Sequence, residues 1–345
     1  MNLLMNNTMS QNIQHNSDFL FIYEAAGCNP NGDPDQENKP RMDYDTHTNL
    51  VTDVRIKRYI RDYLLTQGKE IFVDMVSDAK VSMDSRLKEI LLSLFSEDEK
   101  VQSLLNDNEM YARYQKAKEN TPEKTRQKFI DKKKYDKELN LAILGALVRQ
   151  RFIDIRMFGS AFAIEGFNRA LTGPVQMNWA YSLNQVFLMD SNTIASIMSS
   201  SDKNEGNSNF GKDYRVKYSL LATHGSVNQH AAQTTGLTND DLQLFRDALW
   251  SSISASPTRS KLNQYPRLYL EIVYNPGFYN GYFGDLRNLL TVSVKNQGDP
   301  RTVQRLSDLE IHAEKLEKLS EHRGEGKPIR EIIIRQSADP IIHLR

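Results

Sequence analysis

Arg55, Lys57, Arg58 and Arg61 fall within two helical turns of one short segment. Ile56, Tyr59, Ile60, Tyr63 and Leu64 recur among them at helical spacing, so the cations largely occupy the face the apolar residues leave. Lys57 and Arg61 are four apart and therefore side by side. A row of cations near a helix N-terminus suits a phosphodiester chain, because free backbone amides and the macrodipole add to the side-chain charge. The same letters also describe an ordinary solvated face. Just upstream, residues 27–41 hold three prolines, two glycines, Lys39 and Arg41. That composition excludes helix and central strand alike and makes the segment a loop beside the basic face.

Within the loop, Asn29, Asn31, Asp33 and Asp35 alternate as oxygen ligands do in a calcium site. The glycine comes early, no acid closes the site, and Pro34 constrains the backbone after Asp33. A turn held by Asx hydrogen bonds accounts better for the pattern, so no metal is expected. A second candidate is 149–162, where Arg151, Asp154 and Arg156 are interleaved with Phe152, Ile153, Ile155 and Phe158. Such a mixture can clamp a single strand by charge and stacking, although a buried strand with one salt bridge explains the same letters. His224 and His230 are six apart and match no zinc spacing. Walker, dinucleotide, nucleophile-elbow and RNP1 signatures are missing, so no catalytic residue and no cofactor is expected.

The elements that position these residues read as follows. Residues 18–26 form a β-prone run. Thr52 caps the basic helix with Asp53 in its first turn, and Gly68 stops it. With a short strand at 71–76, this order fits the opening of a ferredoxin-like fold. Residues 84–150 are nearly all helix formers, and between 111 and 137 ten Lys/Arg stand against four Asp/Glu, a net of +6. Strands follow at 152–158 and 174–188, then a Ser/Asn-rich loop or hairpin tip at 191–211. A strand at 214–223, a helix from Asn239 or Asp240 through Ser251 and a strand of alternating polarity at 267–274 complete the pattern. Beyond 288, short strands at 290–294 and 332–334 flank a charged helical stretch.

The 345 residues suffice for one large domain or two ordinary ones, with 39% apolar and 26% charged residues. Lys+Arg and Asp+Glu both total 44, which argues against a small histone-like nucleic-acid binder and leaves local patches to decide. Cys28 is the only cysteine, which excludes an internal disulfide and a Cys-based zinc site and points to a reducing cytoplasm. Residues 1–17 read as a polar, disordered arm without signal-peptide character, and the longest apolar stretch, 139–148, is too short to span a membrane.

Residues 27–41, followed by 50–63 (Leu-Val-Thr-Asp-Val-Arg-Ile-Lys-Arg-Tyr-Ile-Arg-Asp-Tyr), resemble the opening of the CRISPR-associated type I backbone proteins of the RAMP superfamily, with the type I-B branch the nearest likeness. Further agreement lies in Asp154–Gly159, in Thr172–Gln176, from Tyr218 through His224-Gly225, and in Ser260-Lys261 before Gln264–Arg267. The blocks span 18–276. Residues 46–49 depart from the glycine-rich segment usual there.

The resemblance implies an α+β fold: a modified ferredoxin-like, RRM-type palm (18–83, 151–189 and 214–345), a helical finger insertion (84–150) and a thumb hairpin (190–213). It implies a non-enzymatic subunit of a Cascade complex that coats crRNA with further copies of itself in a filament and presents the spacer to target DNA within the R-loop. Implied partners include the crRNA 5′-end-capping subunit, the processing endonuclease and the large and small subunits, with no membrane. Carried onto matching positions, Thr52, Lys57, Arg58 and Arg61 contact the guide backbone, with Arg55 on the same face and Lys39 and Arg41 from the adjoining loop. Arg156, Phe158 and Gln176, and Lys212, Arg215 and Lys217 at the thumb base, are inferred from composition and location. The alternative is a metal-dependent ribonuclease of the type III kind, with Asp33 or Asp35 as the cutting residue.

Overall fold

A computed structural model describes residues 11–73, 98–105, 107–119, 137–164, 167–196, 209–255 and 257–342. In chain order these form β1 (Ser17–Cys28), β2 (Gly32–Asp33), β3 (Lys39–Pro40), β4 (Met42–Asp43), β5 (Thr48–Val51) and α1 (Asp53–Thr66). Four helices follow: α2 (Asp98–Leu105), α3 (Asn108–Glu119), α4 (Lys137–Arg151) and α5 (Ile153–Phe158). Then come β6 (Gly159–Ile164), β7 (Phe167–Thr172), β8 (Val175–Met177), β9 (Ala180–Ser182), β10 (Thr193–Ser196), β11 (Asn209–Lys212) and β12 (Val216–Val227). The chain continues through α6 (Gln229–Thr235), α7 (Asn239–Ala255), β13 (Gln264–Tyr274), β14 (Thr291–Val294), β15 (Leu309–His312), α8 (Glu314–Glu317) and β16 (Ile329–Gln336). The fold is α+β and divides into two compact units: residues 14–63, 175–228 and 245–345, and residues 1–13, 64–174 and 229–244.

The larger unit is built on one antiparallel sheet of order β16-β13-β1-β12-β9-β5-β4, with β8 also paired to β12. Its central strands and helices run β1, α1, β9, β12, α7, β13 along the chain, with spatial order β13-β1-β12-β9. Phe19, Leu20, Phe21, Ile22 and Tyr23 are all fully buried, because both faces of the sheet are covered. A strand buried on both faces reads as a continuous apolar run rather than an alternation. Leu20 and Ile22 pack with Leu268, Leu270 and Ile272 and with Leu286, Leu309 and Leu316 of the C-terminal segment. On the other side Phe19 meets Phe245 edge-on at 5.5 Å.

As its sequence predicts, α1 is capped by Thr52, whose hydroxyl accepts the N–H of Arg55 at 3.2 Å. Gly68 follows it at φ +71°, a left-handed conformation that glycine adopts without strain. The helix expected from Asn239 runs to Ala255.

Several expectations are corrected. Residues 152–158 are not a strand: Ile153–Phe158 is a short buried helix. Its apolar run has no period to separate strand from helix, and tertiary bonds decide. The Asp154 carboxylate accepts the N–H groups of Phe72 (2.8 Å) and Val73 (3.1 Å), which also leaves 71–73 outside any strand. The remainder of the strand expected at 71–76 lies outside the described residues. Residues 174–188 break into β8 and β9 around Asn178-Trp179 rather than forming one strand. The arm expected over 1–17 is ordered from residue 11: Ile13 is buried, its N–H donates to Leu237 O at 3.3 Å, and Ser17 begins β1. Its polar composition hides that single apolar anchor. Residues 1–10 lie outside the described residues, as do 84–97 and 120–136 of the helical stretch.

In the smaller unit, Phe72, Val101, Tyr114, Leu139, Leu147 and Phe152 form a separate core. Residues 151–174 belong to this unit, not to the sheet. The β6–β7 hairpin closes on α5 so tightly that a Cβ on Gly173 would fall 2.0 Å from the Phe158 carbonyl carbon.

Candidate nucleic-acid interface

The proline- and glycine-rich loop is held in one shape by its own polar groups. β2 and β3 pair Gly32 with Pro40 and Asp33 with Lys39. The Asp33 carboxylate accepts the Asp35 N–H at 3.2 Å, caps the 3-10 turn Pro34–Gln36 and lies 3.4 Å from the Arg41 guanidinium. The alternating oxygens thus build an Asx turn. Asn31 ties the loop to the basic helix, because its Oδ1 accepts both the N–H (3.0 Å) and the hydroxyl (3.1 Å) of Thr52. Thr52 therefore acts through the loop and the cap.

A third segment closes the site from the far end of the chain. Asn29 N–H donates to Ser260 O at 2.8 Å, and the Lys261 ammonium donates to Asn29 O. Gln264 Nε2 donates to the Tyr59 hydroxyl at 3.1 Å and to Lys261 O at 2.9 Å. Arg215, at the foot of β12, donates to Gly27 O (2.9 Å) and Arg259 O (3.1 Å) while its guanidinium pairs with Asp213 at 2.8 Å. One network therefore joins Arg41, Arg55, Arg215 and Lys261 around residues 27–31.

Around the same loop, three cations have no carboxylate within 4 Å among the described residues. Arg55 stacks its guanidinium 4.0 Å from the Tyr59 ring centre. Lys39 lies 5.0 Å from the ring centre of Tyr214, whose hydroxyl donates to Glu37 at 3.0 Å. Lys261 is partly buried, and burial first, then repulsion from Arg55, lowers its ammonium pKa to about 8. The neighbouring Cys28 thiol is pushed up to about 12 by burial, so it stays neutral and gives no counter-charge. Arg41 Nε, Arg55 Nε, Asn29 Oδ1 and Gln264 Oε1 are buried without a hydrogen-bond partner among the described residues. Native interiors hold few such groups, and these four belong to the loop and the segments that hold it.

The other expected residues fall elsewhere or are spent. Lys57 pairs with Asp53 at 2.9 Å and Arg58 with Asp62, both four residues apart on α1. Arg61 is only 9% exposed. Arg156 and Phe158 belong to the smaller unit, where Arg156 makes a two-pronged pair with Asp241 (2.7 and 2.8 Å) and Phe158 is buried. Gln176 is exposed and pairs with Ser226, about ten residues along β12 from Val216, roughly 33 Å at the rise of a strand. Lys212 sits at the end of β11 against Thr193 (3.2 Å), and Lys217 reaches Arg301 O at 3.4 Å. Sequence reasoning missed Lys261 as part of the candidate site and weighed Asn29 only as a metal ligand. The only signal for Lys261 is the Ser260-Lys261 block; no charge pattern reveals it.

A family profile described as CRISPR-associated protein Cas7 matches residues 15–314. A CRISPR-associated protein Cas7 of Haloferax volcanii is 29% identical over 308 residues, covering 84% of this chain and 78% of that protein. Among solved structures, a chain of a "CRISPR RNA-guided surveillance complex, pre-nicking" superposes with a TM-score of 0.48 at 13% identity, over 77% of this chain and 80% of the other. A chain of a "CRISPR RNA-guided surveillance complex" does so with a TM-score of 0.42 at 13% identity, over 92% and 87%.

Proposed function

Because the chain belongs to the CRISPR-associated protein Cas7 family, we propose that it is the guide-RNA-binding backbone subunit of a type I surveillance complex, of the I-B kind. The observation that carries this reading is the convergence of Lys39, Arg55 and Lys261, none with a carboxylate partner among the described residues, on one loop with Arg41 and Arg215. A protein that carries arbitrary spacers must grip RNA by phosphate and shape and leave base edges to the complementary strand. Cations held by a rigid loop do that irrespective of sequence. The primary contacts are Lys39, Arg41, Arg55, Arg215 and Lys261. Thr52 positions the loop, and Lys57, Arg58 and Arg61 lend charge along the helix.

In this reading the sheet unit is the RRM-like palm, supported by its β13-β1-β12-β9 strand order. The helices of the smaller unit form the finger, and the β10–β11 hairpin is the base of the thumb. Copies stack along the crRNA in the cytoplasm and present it to target DNA, together with the other complex subunits. The subunit itself cuts nothing: the Asp33 carboxylate is engaged by Arg41 and by the Asp35 N–H. The test is to purify the protein from cells expressing guide RNA and extract what it carries. A nuclease-protected RNA of uniform length is expected. Protein free of RNA, and unable to take it up at low salt, would end this reading.

A further inference from the structure

The ammonium of Lys261 occupies an unusual position for a lysine. It lies partly buried at the junction of β1, α1 and the turn before β13 and donates to the backbone carbonyl of Asn29. Arg55 from α1 and Cys28 from the end of β1 act on it directly; Tyr23 of β1 and Arg215 from the foot of β12 lie near Cys28 in turn, and Gln264 of β13 donates to the Lys261 carbonyl and the Tyr59 hydroxyl. Two of these are permanent cations. Burial holds the Cys28 thiol and the Tyr23 phenol neutral by raising both. Among the described residues no carboxylate lies within 4 Å of Lys261, whereas Arg215, Arg41, Lys57 and Arg58 each have one. A partly desolvated ammonium beside a guanidinium is stabilised only when an anion joins it.

We propose that Lys261 is a phosphate ligand of the guide site and that RNA enters this site with uptake of a proton by Lys261. This rests on the RNA-binding reading and adds to it a proton linkage at one of its contacts. The step is a proton transfer from solvent: in the fraction of free protein whose Lys261 amine is neutral, the amine gains one H⁺ and then faces the phosphate as an ammonium. The sign follows from the lowered value near 8 in the free protein. Below about pH 7 the amine is already charged, so no proton moves and affinity is flat. Between about pH 8 and pH 10 the free protein is increasingly neutral there, so affinity falls, by about tenfold near pH 9, as linkage requires. Stability of the free protein moves the other way. Its folded lysine loses the proton before an unfolded one does, so the fold gains stability as pH rises through this window.

The experiment measures binding of a fluorescein-labelled oligouridylate by anisotropy from about pH 6.5 to about pH 9.5 at fixed salt, with calorimetry in two buffers of different ionisation enthalpy. Wild type is expected to take up about half a proton near pH 8 and to weaken above it. Lys261→Arg, which keeps its charge, should bind without that pH dependence. Lys261→Met should bind weakly at every pH while melting higher than wild type near pH 7, with the gap closing as pH rises. Tight wild-type binding with no proton uptake, or a pH profile that Lys261→Arg leaves unchanged, overturns the inference and leaves the RNA-binding reading standing. Absence of binding by all three proteins at low salt overturns both.

Discussion

Replacing both Lys39 and Arg55 by glutamate is expected to weaken RNA binding by about a hundredfold or more at moderate salt, and to make the log–log salt dependence shallower by roughly 1.4. Neither side chain has a carboxylate partner among the described residues; both lean on tyrosine rings, Lys39 on Tyr214 and Arg55 on Tyr59. Each reversal removes one neutralised phosphate and adds a repulsion, together about 1.4 kcal/mol or more per site. The lost cation–π contacts cost the fold about 1 kcal/mol at Lys39 and about 2 kcal/mol at the partly buried Arg55, so the variant should remain folded. Lys57→Glu offers the comparison. Lys57 already faces Asp53 at 2.9 Å, so its reversal swaps an attractive helix pair for a repulsive one and should reduce affinity less. A folded Lys39/Arg55 double variant with unchanged affinity would show that the charge near the loop does not hold RNA.

The largest effect on stability is expected at Glu271. Its side chain is fully buried in β13 and accepts from Ser17 Oγ (2.6 Å), Tyr269 Oη (2.6 Å), Arg246 Nε (2.7 Å) and Arg246 Nη2 (3.1 Å). Glu271→Ala leaves the Arg246 guanidinium without its anion in a low-dielectric interior, at a cost of about 3–5 kcal/mol. For a unit of this size that lowers the melting temperature by roughly 10 °C. Replacing both partners, Arg246→Met with Glu271→Met, removes the charge together with its counter-ion and should recover most of the loss, because a buried pair adds little over well-packed apolar groups. Equal melting of the single and double variants would contradict the account.

The same residue illustrates what the sequence hides. The alternation around Arg267–Tyr274 reads as a strand with one wet face, yet Glu271 points into the interior because a helix covers that face and supplies Arg246. Local signals served well where structure is local: β1 appears where its β-prone run lies, and α1 with its Thr52 cap and α7 where the apolar periods place them. They failed at 152–158, where an apolar run without a period became helix through hydrogen bonds from Phe72 and Val73. The candidate site was legible in its loop and helix but not in its weighting. Lys57 and Arg58 were expected on the guide backbone, although the spacing already set Asp53 and Asp62 four residues from them. Lys261 could not be found that way. It reaches Asn29 from more than two hundred residues away, and only the folded sheet, with β13 beside β1, brings the two together.

Zero-length photo-crosslinking of the RNA-loaded protein, read out by peptide mass spectrometry, locates the groups that touch the guide. The account predicts that the guide's adducts concentrate on peptides carrying Lys39–Arg41, Arg55 and Arg259–Lys261. Adducts confined to the helices of the smaller unit, with those peptides unmodified, would contradict it.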